Sequence, residues 1–172
     1  MQSTVSRALA STLHTHLFPH STLTVQLTVL AADGSLLAAL LNAAGLACVD
    51  AGVPMTDYLC ACTAGSTSAF AAADDAGTTG GADPLLDLSL QEETELPGLT
   101  AATLGSRGDK VVVLVCESRV RVERLEGMLA VAVDGCKQVR ELLDTVVRET
   151  AGASGEGEGG VGLDDGGMDL DR

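Results

Sequence analysis

Apolar residues along this chain change period several times, and each change marks an element. Val5, Ala8, Leu9 and Leu13 recur at helical spacing, which predicts a helix over residues 3 to 17. From position 22 the period drops to two. Leu23, Val25, Leu27 and Val29 alternate with Thr22, Thr24, Gln26 and Thr28, the pattern of a half-buried strand. Asp33-Gly34 is a turn dipeptide, and Ser35 is placed to cap a helix predicted from Leu36 to Asp50. That helix is almost wholly apolar and rich in alanine, so it is expected to be buried on most sides. Gly52 and Pro54 punctuate its end, and a second strand follows in the stretch from Asp57 to Gly65.

The pattern then loosens. Residues 64 to 83 are mostly Gly, Ala, Ser, Thr and Asp, read as a short strand near Ser68 to Ala72 and a flexible insertion over Asp74 to Asp83. Pro84 to Leu90 is a short apolar strand carrying Asp87, and Gln91 to Pro97 an acidic loop. Leu99 to Leu104 and Lys110 to Glu117 form a predicted hairpin, with Val111 to Val115 in the core. From Val122 to Thr150 a helical stripe runs through Leu125, Met128, Leu129, Ala132, Val139, Leu142, Leu143 and Val146. Residues 1 to 150 thus make one domain, and 151 to 172 a Gly-rich acidic tail expected to be disordered.

With 172 residues, 46% of them hydrophobic, the chain can bury a substantial core. Aromatics are 2% with no Trp, so that core must be built from Leu, Val and Ala. The net charge is −14; six acids against Arg172 put −5 in the tail and leave −9 on the body. A surface this acidic repels phosphate backbones, so the chain alone is expected to be a poor nucleic-acid binder, and were it to serve RNA, partner chains would be expected to supply much of the positive charge. Cys60 and Cys62 project to one face of a strand, and their spacing fits buried thiols better than a zinc site. His14, His16 and His20 cluster near the end of the first helix, where His14 and His16 are expected on different faces, and a metal or general-base role is disfavoured. No signal peptide opens the chain, and Asn42 and Gly45 interrupt its longest apolar run; the expectation is an intracellular, reduced protein that does not enter a membrane.

Several separated stretches occur together in one order: LFPHSTLTVQLTVLAADG, LLNAAGLACVDAGVPM, DYLCACTAG and PLLDLSLQEE, followed by a hairpin and a long helix. In this the chain resembles the RNase PH-fold subunits of the RNA exosome, over residues 1 to 149. The resemblance implies an α+β RNase PH-type fold, with βαβ units like those of the second domain of ribosomal protein S-five and helices packed on a mixed sheet. Family members carry a substantial N-terminal portion ahead of the first helix. Its strands are expected to be missing here, which would leave sheet edges and an apolar helix face exposed.

The same resemblance implies chemistry. RNase PH relatives attack the 3′-terminal phosphodiester of RNA with inorganic phosphate, held where a helix N-terminus follows the Asp-Gly turn. A Gly-Thr-Arg type sequence supplies an arginine there. Here the matching residues are Gly34, Ser35, Leu36 and Leu37, so an apolar side chain stands where the cation would be. The family's pair of carboxylates falls on Asp87 and Glu93, the second longer by one methylene than the usual aspartate. Such carboxylates can protonate a leaving oxygen or bind a divalent cation, but a strand end and a solvated acidic loop are the preferred reading. Arg119, Arg121 and Arg124 are a candidate RNA or partner contact, set against a solvated face among Glu117, Glu123 and Glu126.

The expected role is a non-catalytic ring subunit in 3′-to-5′ RNA processing and decay, including ribosomal RNA maturation and mRNA turnover. Its partners would be other RNase PH-fold subunits in a hetero-hexameric ring, cap subunits, and RNA through the channel. No resident cofactor or metal is implied, and the location would be the nucleus with its nucleolus, and the cytoplasm. Two alternatives stand beside it: an active phosphorolytic exoribonuclease, and a truncated paralogue with no exosome role.

Overall fold

The first amphipathic stretch forms α1 (Gln2–Thr12), which buries Val5, Ala8, Leu9 and Thr12. A computed structural model describes residues 1–67, 84–105 and 110–155, with backbone alone for Glu123 and residues 152–155. Helix α1 stops before its spacing predicted, because Leu13 turns extended and bridges Met55; a 3-10 turn over Thr15–Leu17 follows. His14 therefore lies outside the helix, and its ring meets that of His16 edge-on at 5.5 Å rather than facing away.

Helix α2 (Leu36–Asp50) matches its predicted bounds. It buries Leu37, Ala38, Leu41, Ala44, Gly45 and Cys48 and leaves Ala39, Ala43 and Ala47 exposed, so burial covers one broad face rather than most sides. Its end is closed by a Schellman arrangement: Val53 N–H donates to the Cys48 carbonyl and Gly52 N–H to that of Val49, each at 3.0 Å. Gly52, at φ 63°, supplies the left-handed residue this closure needs.

Four strands form one sheet: β1 (Cys60–Ser66), β2 (Pro84–Leu86), β3 (Gly98–Leu104) and β4 (Lys110–Cys116), in the order β2-β1-β3-β4. Every pairing is antiparallel, and the predicted β3–β4 hairpin is present with an irregularity between Ala102 and Thr103. The mixed sheet expected from the sequence is not found among the described residues. The alternating stretch 22 to 29 forms no ladder with any described strand. Its pattern still shows in packing: Val25 and Leu27 are half-buried against the core, while Leu23 and Val29 are about half exposed. In β4 only Val113 is buried; Val111 and Leu114 are exposed because the strand is a sheet edge.

After β2 the chain forms α3 (Leu90–Glu95) where an acidic loop was expected. The cause is local: Ser89 and Glu92 make a reciprocal capping box, Ser89 accepting from the Glu92 N–H and Glu92 from that of Ser89. Helix α4 (Val122–Gly155) starts where predicted and continues past Thr150. The chain divides into two units, Met1–Arg140 and Glu141–Arg172. In the first, Leu41 and Ala44 of α2 and Val5, Ala8 and Leu9 of α1 form a core with Leu59, Ala61, Ala102 and Val113. Met128 and Ala132 of α4 pack with Ala64, Leu99 and Ala101 in another. Gly135 lets the helix approach closely, since a Cβ there would stand 2.9 Å from the Cys62 sulfur. In the second unit Leu142 and Val146 are exposed, so the predicted stripe is not buried there. The predicted strand at Ser68 to Ala72 and insertion at Asp74 to Asp83 lie outside the described residues, as does the chain from residue 156.

Candidate functional site

Two segments far apart in sequence meet in front of α2. Gly34 has φ 90° and no side chain, and the backbone of Leu88 to Leu90 lies directly on it. A Cβ at this position would overlap the Leu88 carbonyl and stand 2.7 Å from the Leu90 nitrogen. Leu90 N–H donates to the Asp33 carbonyl at 3.1 Å, and Ser35 Oγ donates to the Leu88 carbonyl at 3.1 Å. Ser35, at φ 48°, is the residue before the helix, but its hydroxyl makes no cap. The left-handed backbone turns it onto the 88 to 90 segment instead, which corrects the expected capping role.

The second segment is fixed just as firmly. Leu88 is buried with its methyl groups against Gly65 of β1. Asp87 holds a positive φ of 57° and donates its N–H to the Thr63 carbonyl at 2.8 Å, leaving its side chain exposed. Glu93 is exposed in the first turn of α3. The hydrogen bonds from Ser89 hold the Glu92 carboxyl below its ordinary range. The turn Gly34-Ser35 and the segment carrying Asp87 and Glu93 are thus neighbours.

The chemistry at this junction is another matter. Leu36 is half-buried, and Leu37 is only 8% exposed, packed in the core with Val5 and Leu9. The first turn of α2, Leu36 to Ala39, carries no charged side chain, so the positive end of the helix faces the segment unsupported by a cation. Arg119, Arg121 and Arg124 are exposed between β4 and the first turn of α4 and belong to neither segment. Among the described residues no group of three or more His, Cys, Asp or Glu side chains is placed to hold a metal ion, and no helix is long and apolar enough to cross a membrane.

One positioning residue was missed in the sequence. Asn42 reads there as a lone break in an apolar helix. In the fold its amide donates to the Ala61 carbonyl at 3.0 Å and its oxygen accepts from the Ala61 N–H at 2.7 Å. The side chain thereby imitates a neighbouring strand and fixes α2 along β1. On the loop before β1, Asp57 accepts from Arg140 at 2.6 Å, and that guanidinium lies 4.4 Å from the Tyr58 ring centre. At the far end of α2 a cavity of about 380 Å³ is lined by Leu13, His14, Phe18, Leu23 and Val53. It is mostly apolar and shares no residue with the junction at Gly34.

Comparison with known proteins agrees with this architecture. Residues 1–54 match the model of the 3′ exoribonuclease family, domain 1. The chain is 34% identical to the exosome complex component ski6 of Schizosaccharomyces pombe over 139 residues, covering 81% of this chain and 52% of that protein. It is 36% identical to the exosome complex component RRP41 of Mus musculus over 150 residues, 87% of this chain and 54% of the relative. The chain therefore spans about half the length of these curated relatives. Among solved structures, rice Rrp46 superposes with a TM-score of 0.64 at 21% identity, over 85% of this chain and 63% of that one, a likeness of fold.

Proposed function

The chain belongs to the RNase PH family of 3′ exoribonucleases, and on that premise we propose that it serves as a non-catalytic subunit of the RNA exosome ring. The observation that carries the non-catalytic part is the buried Leu37. Phosphorolysis must bring an inorganic phosphate beside an RNA phosphate, two anions that repel. A cation at the helix mouth offsets that repulsion, and removing one such group typically costs about 10²–10³ in rate. Here the matching side chain is apolar and turned into the core, while Asp87 and Glu93 add negative charge nearby. The retained junction between the α2 turn and the Asp87 segment serves, in this reading, to hold the shape of the subunit.

The partners are other RNase PH-fold subunits and cap subunits, and RNA reaches the chain only within that assembly. An acidic chain with net charge −14 needs such partners to approach RNA at all. We place the assembly in the nucleus, its nucleolus included, and the cytoplasm. The domain takes in residues 1 to 150, with 151 to 172 as an acidic tail.

Affinity purification of the tagged endogenous protein, with mass spectrometry of what is recovered, tests the assignment. Recovery of ring and cap subunits supports it; recovery free of them sinks it. Phosphate-dependent release of nucleoside diphosphates from RNA by the purified chain would overturn the non-catalytic part alone.

A further inference from the structure

We draw no further inference here: the strongest candidate, the mostly apolar cavity at the far end of α2 lined by Leu13, His14, Phe18, Leu23 and Val53, has nothing in the structure to show what covers it.

Discussion

The proposed function rests on single residues at the junction in front of α2. Leu37 is the clearest case. Leu37→Arg, the change that recreates the family pattern, is expected not to create a phosphate site, because the side chain at this position enters the core. An unpaired cation buried there should lower stability by about 3 kcal/mol or more. Thermal unfolding and a nucleoside diphosphate release assay check this together; activity with an unchanged melting temperature would refute it. Gly34→Ala meets a backbone rather than a flexible side chain, at φ 90°, so it should lower stability by about 1–3 kcal/mol and loosen the Leu88–Leu90 segment. Thiol chemistry separates by environment in the same way. Burial, with smaller contributions from Cys136 and Asp87, pushes the Cys62 thiol up to about 11, and burial raises Cys136 as well. Cys116 alone among the five is exposed. In an alkylation time course at neutral pH, Cys116 should react first and the others only as the chain unfolds.

At the scale of elements, Asn42 is the test of how α2 is held. Asn42→Leu keeps the volume and removes both bonds to Ala61, leaving its N–H and carbonyl without those partners. A loss of about 2–4 kcal/mol is expected, read from urea unfolding. Helix α3 has a pH dependence with a definite sign. The Glu92 carboxyl is depressed by its hydrogen bonds from Ser89, so the capping box stabilises α3 above the ordinary carboxylate value of 4.5 and weakens as pH falls through the lower folded value. Amide shifts of α3 in an NMR titration should follow this course, and Ser89→Ala should abolish it. Both elements also show what could be read in advance. The bounds of α2, the β3–β4 hairpin and the start of α4 follow from periodicity and from Gly and Pro. The capping box Ser89-Leu90-Gln91-Glu92 was legible too, but the acidic run around it reads as a loop. The stretch 22 to 29 misleads for a different reason: alternation specifies a face, whereas a strand needs a neighbour. For the site, the sequence marked Gly34 and Asp87 by motif. It had no means of showing that Gly34 seats the Leu88–Leu90 backbone, or that Ser35 donates across 53 residues to Leu88 rather than capping its helix.

At the scale of the whole molecule, charge sets the terms of function. The described cations are few, and Arg140 and Lys137 are engaged with Asp57 and Asp134. Against a net charge of −14, counterion release cannot drive tight binding of a polyanion. The chain by itself should therefore bind a uridine dodecamer more weakly than about 10⁻⁴ M at physiological salt, at the weak end of non-specific affinities. Lowering the salt should strengthen that binding little, since few phosphates are neutralised. Removing residues 156 to 172 takes away −5 and should improve affinity only modestly, because the body keeps −9. Fluorescence anisotropy across a salt series checks both statements. A micromolar affinity with a steep salt slope would mean that this chain carries its own RNA path, and the need for cationic partners would fall with it. Weak, salt-insensitive binding that becomes tight only when the chain is recovered with ring subunits would place the RNA contact in the assembly, as proposed from its charge.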